Sequence, residues 1–344
     1  MAFCDSIKLE KGMYKVGGKS FTKVLEDLDP SENYKGTALE GLDAYQRQLK
    51  RFDIKVSGPG CDMVEKFFSS TDAAVLFPEY IARSVKQGLE SADVLSSIVA
   101  TKTNIDGIDY RAISSTTETS STNSVSEASA LRNVNIRTKS NLISLIKHGR
   151  IINSSYEALR FQNIDVLSVI LRQIGADIAN EQLADAVSVL ISGDGNSNAA
   201  SEIDAAYGST KPSTPTLSYA YLLQLWEGVS PHELNVMLAS TKTMKDILSL
   251  SEMKDATAGL DFQGTGKIVT PMGAKLIHAP SVADYKILGF DKNCTLQMVQ
   301  AGDVNIDYDK VIDRQLERAG ISVMAGFAKI FNSGVKVLDY TISQ

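Results

Sequence analysis

No part of this chain is harder to fold on its own than residues 114–129, SSTTETSSTNSVSEAS. Ser and Thr fill it, almost nothing in it can be buried, and by composition it reads as linker. It holds no Gly or Pro, however, and its Thr residues favour extended backbone. Strand-like segments flank it, IDYRAIS before and LRNVNIRT after. Together these predict a long hairpin whose tip makes no core. Each arm, if about 13 residues long, would reach ~45 Å at about 3.3 Å per residue. A two-stranded ribbon of that length is marginal in water unless something else covers it.

A second extended element follows. NLISLIKHGRIIN reads as a buried strand from its Ile and Leu content. Ser154 and Glu157 have the spacing of a capping box, which predicts a short helix. Asn163 can then cap a much longer one. Its apolar positions Ile164, Leu167, Leu171, Ile174, Ile178, Leu183, Val187 and Leu190 recur every three to five residues, with a slip near Glu181. Gly175 is a mild interruption. A helix from 164 to 192 would be ~43 Å long at about 1.5 Å per residue. Gly193 stands where a left-handed glycine closes a helix. The same passage, LISGDGNSN at 190–198, can also be read as a phosphate-cradling loop. Such a loop follows a strand, opens a helix and needs a third glycine where Asn198 stands, so the helix stop is the better reading.

The remaining chain alternates helix and strand. SFTKVLEDL predicts a short helix ended by Pro30, and LEGLDAYQRQLKRF a better one with Leu39, Leu42, Tyr45 and Leu49 on one face. Gly58, Pro59 and Gly60 break it, and another helix is expected after Pro78. Residues 98–114 alternate as strands, with a hairpin turn at Asp106-Gly107. From about residue 215, YAYLLQLWEGV reads as helix and HELNVMLASTKTMKDILSL as strand then helix. A turn is expected at Pro271-Met272-Gly273, and the chain closes with strands.

The catalytic motifs are incomplete. GTGK at 264–267 has Ile268 in place of the required Ser or Thr and Asp261 in place of a glycine. HELNV at His232 has Val236 where a zinc-protease helix needs its second histidine. DVNIDYD resembles a calcium loop but puts Tyr308 at the glycine and Arg314 at the glutamate, so a strand with Asp303, Asn305, Asp307 and Asp309 on a solvated face is expected. Trp226 reads as core. With His148, His232 and His278 the only histidines, a triad or histidine metal cluster is hard to assemble, and Cys4, Cys61 and Cys294 show no histidine partner at readable spacing. The three cysteines suggest free thiols in a reducing compartment. A net charge of -6 argues against a sequence-independent DNA binder. The start of the chain lacks the apolar run of a signal peptide, and no uninterrupted apolar stretch could span a membrane, which together predict a soluble intracellular chain. No catalytic, cofactor-binding or metal site is assigned, and no cofactor is expected.

The order of these parts resembles the major capsid proteins of tailed bacteriophages of the Hong Kong 97 type. The likeness rests on EKFFSSTDAAVLFPEYI, on Glu127-Ala128 in the hairpin's return, and on SLIKHGRIINSSYEAL. It continues through IANEQLADAVSVLISGDGN, Gly273 in PMGAKLI, and GFAKIFNSGVKVLDY, from about residue 62 to the C-terminus. The helix running into GDG is its most specific piece.

The resemblance implies an α+β capsid fold. Residues 1–61 would be an N-terminal segment, 62–90 the N-arm and its helix, and 91–214 a peripheral domain. That domain would contain the E-loop at 108–138 and the spine helix at 163–193, followed by an axial domain at 215–310 and return strands at 311–344. It further implies self-assembly as pentamers and hexamers into an icosahedral-type virion shell, built in the bacterial host cytoplasm. The shell would enclose double-stranded DNA without sequence-specific contacts, with portal and scaffolding proteins as partners, no membrane and no enzymatic activity. The alternatives are an encapsulin-like nanocompartment shell and, more remotely, a nucleotide-dependent α/β enzyme. Some relatives lose an N-terminal coiled-coil scaffold to a protease, but residues 1–60 are short, broken by glycines and without heptads, so this segment is expected to stay attached and folded. Some relatives form a Lys–Asn crosslink. Lys102, Lys139 and Lys147 lie near the hairpin, but no asparagine and acid can be placed beside them from sequence.

Overall fold

The computed structural model describes residues 7–15, 20–116, 135–155, 161–204, 214–254, 270, 272–302, 304–311 and 316–341. The hairpin tip, the short helix expected after Ser154, the GTGK motif and Pro271 lie outside them. The fold is mixed α and β. It falls into two compact units, one of residues 1–93, 148–179 and 304–323, the other of residues 94–147, 180–303 and 324–344. No helix among the described residues is long and apolar enough to cross a membrane.

The first unit is built on helices α1 (Phe21–Leu28), α2 (Ala44–Arg51), α3 (Thr71–Ala74), α4 (Leu76–Ser91) and the first half of α5 (Ile164–Ser192). Helix α2 is shorter than its apolar spacing predicts. Gly41 takes a positive φ of 83°, and Asp43 and Gln46 form a reciprocal capping box, so Leu39 and Leu42 fall outside the helix. Helix α4 begins two residues before Pro78, which its first turn tolerates because N–H groups there have no partner within the helix. Phe21, Leu25, Tyr45 and Leu49 share one core with Phe67, Phe77, Tyr80, Ile164 and Leu171. The described residues of the N-terminal segment therefore pack into this unit.

Gly175 is more than an interruption. A Cβ there would stand 2.1 Å from the carbonyl oxygen of Val85, and one on Gly88 would stand 2.1 Å from that of Arg172. The two glycines let α4 and α5 cross at backbone contact, closer than any side chain allows. Strand β4 (Ile146–Ser155) departs from the sequence reading: it pairs with β11 (Leu316–Lys329), but most of its side chains are exposed, including Ile151 at 65%. Ser154 lies within this strand. Strand β10 (Asn305–Val311) pairs antiparallel with β11, Asn305 opposite Ser322. Asn305, Asp307 and Asp309 are exposed, in keeping with a solvated strand face.

The second unit centres on a sheet in the order β5 (Ser201–Asp204), β12 (Val335–Asp339), β8 (Lys286–Phe290), β6 (Val236–Ala239), β7 (Lys275–His278). Strand β12 runs parallel to β5 and antiparallel to β8, and β6 runs antiparallel to β8 and parallel to β7. One face, with Val236, Leu238, Leu288, Phe290 and Val337, packs with Leu183, Val187 and Leu190 from the second half of α5. The other, with Met237, Ile287 and Leu338, packs with Leu222, Leu225 and Val229 of α6 (Tyr219–Val229) and Ile247 of α7 (Thr241–Ser249). Burial on both faces explains why the central strand β6, VMLA, is a continuous apolar run. The expected turn before β7 is present, with Gly273 at φ 83° and its N–H donating to the Thr270 carbonyl.

Strand β1 (Thr101–Ile105) pairs in parallel with β9 (Leu296–Ala301), which pairs antiparallel with the last residues of β11. Asp106-Gly107 is thus a bend at the end of β1 and not a hairpin turn. Strand β1 finds a better partner far along the chain, a competition that a local turn signal does not register. Strands β2 (Ile113–Thr116) and β3 (Asn135–Thr138) form the antiparallel stem of the predicted polar hairpin.

Candidate functional site

The glycine-aspartate passage after α5 is a helix stop. The Gly193 N–H donates to the Val189 carbonyl at 2.8 Å and the residue takes a φ of 90°. A Cβ there would meet Asn198 Oδ1 at 2.6 Å, so only glycine fits. Three N–H groups that a phosphate would need, those of Gly193, Asp194 and Asn196, are engaged inside the turn. Asp194 N–H donates to Asn198 Oδ1 at 3.0 Å and Asn196 N–H to Asp194 Oδ1 at 3.3 Å.

The turn instead anchors the hairpin. Lys139 directly follows β3, and its Nζ donates to Asp194 Oδ2 at 2.8 Å, with the Lys139 side chain 8% exposed and that of Asp194 fully buried. Asp194 Oδ2 also accepts the Lys329 backbone N–H at 2.9 Å. Lys139 Nζ donates further to the Lys329 carbonyl, and Lys329 Nζ donates to the Asn198 carbonyl at 2.6 Å and to Asn332 Oδ1 at 3.0 Å. Asn141 clasps the turn with its N–H on Asn196 Oδ1 and its Nδ2 on the Gly195 carbonyl. Below it, the Lys139 N–H meets the Ala112 carbonyl and the Ile143 N–H that of Tyr110, both at 2.8 Å, and Ala112, Ile143 and Ala328 make a small core. Both strands of the ribbon are therefore clamped at their base. Lys102 and Lys147 are exposed, whereas Lys139 is committed to this pair.

Burial raises the tendency of the Asp194 carboxyl to stay protonated, but hydrogen bonds from Lys139, Asn196 and the Lys329 N–H outweigh it and hold its pKa below the usual carboxylate range. Burial pulls the Lys329 ammonium down to about 8, Asp194 opposing and Lys139 reinforcing the shift. An unfolded lysine titrates near 10.4. Between those values the unfolded chain binds more protons than the folded one, so this group's contribution to stability rises with pH. It is complete above about 10.4 and lost as pH falls through about 8. The unfolding free energy of the wild type minus that of Lys329→Met is accordingly expected to climb across this window in urea titrations. A flat difference would show that Lys329 titrates normally.

Apolar side chains remain uncovered at several places. On α5, Val166, Val169 and Ile170 are 49%, 59% and 53% exposed. Their spacing of three and four residues puts them on one helix face. On the ribbon stem, Ile113 and Ile136 are exposed on one face, since Ile113 lies opposite Thr138 and Ser115 opposite Ile136. Helix α6 exposes Leu223 and Trp226. Trp226 is therefore not core, because Leu222, Leu225 and Val229 occupy the buried face of that helix.

One cluster escaped the sequence reading. His232 Nδ1 lies 3.5 Å from Cys294 Sγ, with the Asp291 carboxylate beside them. HELNV is not a helix: His232 sits in a loop and Val236 begins β6. Asp291 and Cys294 are near neighbours, a weak signal, but His232 reaches them only through the pairing of β6 with β8. Burial and the charge of Asp291 push the Cys294 thiol up. Burial acts against ionisation of Asp291, yet hydrogen bonds from the Asn293 and Glu233 N–H groups and from Asn235 hold its pKa low.

No family model matches the chain, and no curated protein matches it. Solved structures do. The capsid of a native GTA particle superimposes with a TM-score of 0.54 at 14% identity, over 73% of this chain and 91% of that one. A virus-like particle from Pyrococcus furiosus gives 0.50 at 12% identity, over 76% and 98%. The capsid of the cyanophage P-SCSP1u gives 0.50 at 14%, over 73% and 89%. The chain has the fold of the tailed-phage major capsid proteins.

Proposed function

We propose that this chain is the major capsid protein of a tailed phage, assembling as pentamers and hexamers into a shell around double-stranded DNA. The observation that carries the reading is the clamped ribbon: a stem fixed at Asp194, with Ile113 and Ile136 exposed beyond it, on a fold otherwise similar to capsid subunits. A single molecule leaves that face of the stem uncovered, and a neighbouring copy would cover it. In this reading residues 62–90 are the N-arm and helix, 108–138 the E-loop within a peripheral domain at 91–214, and 163–193 the spine. Residues 215–310 are the axial domain and 311–344 the return strands. Portal and scaffolding proteins are the expected partners, the location is the virion capsid, and the role is structural.

The energetics suit a lattice. An interface of about 800 Å² per partner, a little over half apolar, yields roughly 20 kcal/mol gross at ~25 cal/mol per Å². Lost rigid-body freedom and the ordering of interface side chains offset much of this. Each contact can thus be weak singly, while rings of heterologous contacts close the shell.

Deletion of residues 114–129 is expected to abolish shells in electron micrographs of the purified protein while leaving a soluble subunit. Normal particles from that variant would remove the hairpin from assembly. The mass of the chain in particles should include residues 1–61, of which Leu9, Phe21, Leu25, Tyr45, Leu49 and Ile54 lie in the first unit's core. The virus-like particle neighbour favours one second reading, a nanocompartment shell. Particles that hold protein cargo and no DNA would select it.

A further inference from the structure

We propose that His232, Asp291 and Cys294 form a binding site for a transition-metal dication of the zinc class. Their donor atoms all lie within 4.8 Å of one another. With Zn–S of about 2.3 Å and Zn–N of about 2.0 Å, a tetrahedral centre separates sulfur and nitrogen by about 3.5 Å. The Cys294 Sγ to His232 Nδ1 distance is 3.5 Å. An imidazole, a thiolate and a carboxylate are the donors that zinc accepts, and three protein ligands leave a fourth position for water.

The surroundings orient each donor, as the outer partners of metal ligands do. Asp291 Oδ1 accepts Asn235 Nδ2 at 2.7 Å and the Asn293 N–H at 2.9 Å, and Oδ2 accepts the Glu233 N–H at 3.4 Å. His232 Nε2 lies 2.8 Å from Ser333 Oγ. With the ring hydrogen on Nε2, the Nδ1 lone pair faces the sulfur. Gly334 keeps the approach open, since a Cβ there would stand 3.2 Å from Cys294 Sγ and 3.7 Å from His232 Cδ2. His232 and Cys294 are partly exposed, so an ion can reach them. On binding, the Cys294 S–H bond breaks, the sulfur keeps the electron pair and donates it to the metal, and the proton leaves to solvent. No oxidation occurs.

The test titrates Co²⁺ into the full chain carrying Cys4→Ser and Cys61→Ser, which leaves Cys294 as the only thiol. One Co²⁺ per chain is expected, with a thiolate charge-transfer band and the intense visible bands of four-coordinate cobalt, both lost when Zn²⁺ is added. Cys294→Ser should abolish the charge-transfer band, and Asn235→Ala should weaken binding about 10- to 100-fold. A spectrum of the chain with Cys294 intact showing only the faint bands of hydrated cobalt would overturn the proposal and leave an S–H···N hydrogen bond. So would a charge-transfer band that survives in Cys294→Ser.

Discussion

Asp194→Ala is expected to lose about 3–5 kcal/mol of stability, the usual cost of removing one partner from a buried ion pair. The substitution leaves Lys139, 8% exposed at its side chain, without its counter-charge, and the Lys329 N–H without its acceptor. Against total stabilities of about 5–15 kcal/mol, this loss is large. It also unfastens the hairpin, because Lys139 ties β3 to the end of α5. Under the proposed capsid reading, shell formation should therefore fail under conditions in which the subunit is still folded. Lys139→Met in the same background removes the orphaned charge and should recover part of the loss, with a coupling of about 0.5–3 kcal/mol. Denaturant unfolding of the four variants measures it. An Asp194→Ala midpoint equal to wild type would mean that the turn anchors nothing.

Arg47→Ala should cost a similar 3–5 kcal/mol, for the same physical reason in the other unit. The Arg47 side chain is wholly buried and its Nε donates to Asp29 Oδ2 at 2.9 Å, where Asp29 is 1% exposed. Nη1 donates to Ser31 Oγ at 2.9 Å and to the Leu42 carbonyl at 2.7 Å, and Nη2 to the Asp29 carbonyl. The guanidinium lies 4.4 Å from the Tyr34 ring centre, and the Tyr34 hydroxyl donates to Asp29 Oδ1 at 2.6 Å. One side chain thus holds the turn between α1 and α2. Its loss should open residues 20–60 to limited proteolysis before the rest of the chain unfolds. Cleavage rates equal to wild type would show that the N-terminal helices hold without it.

Much of the local structure could be read before any coordinates. Helix α5 spans the residues that its apolar spacing predicts, because a spacing of three to five residues is itself the record of a helix with a buried face. Gly193 stops it for the stated reason, a positive φ. The strands of the hairpin stem were also legible, since they fall at the strand-like flanks of the polar segment, IDYRAIS and LRNVNIRT. Exposure was less legible. Ile151 and Trp226 are apolar residues at the surface, and hydrophobicity alone does not say which apolar residues a monomer leaves for another surface. Nor does it say that Gly175 permits a backbone crossing.

What the sequence alone settled is what depends on neighbours a few residues away: the long helix, its glycine stop and the two strands of the hairpin stem. Only the tertiary structure decided that β1 pairs with β9, that Lys139 meets Asp194 and that His232 meets Cys294. Periodicity and capping are local free energies, read residue by residue. Strand partners and buried ion pairs are chosen by competition among all the surfaces of the chain, and that competition is resolved only when the whole core closes.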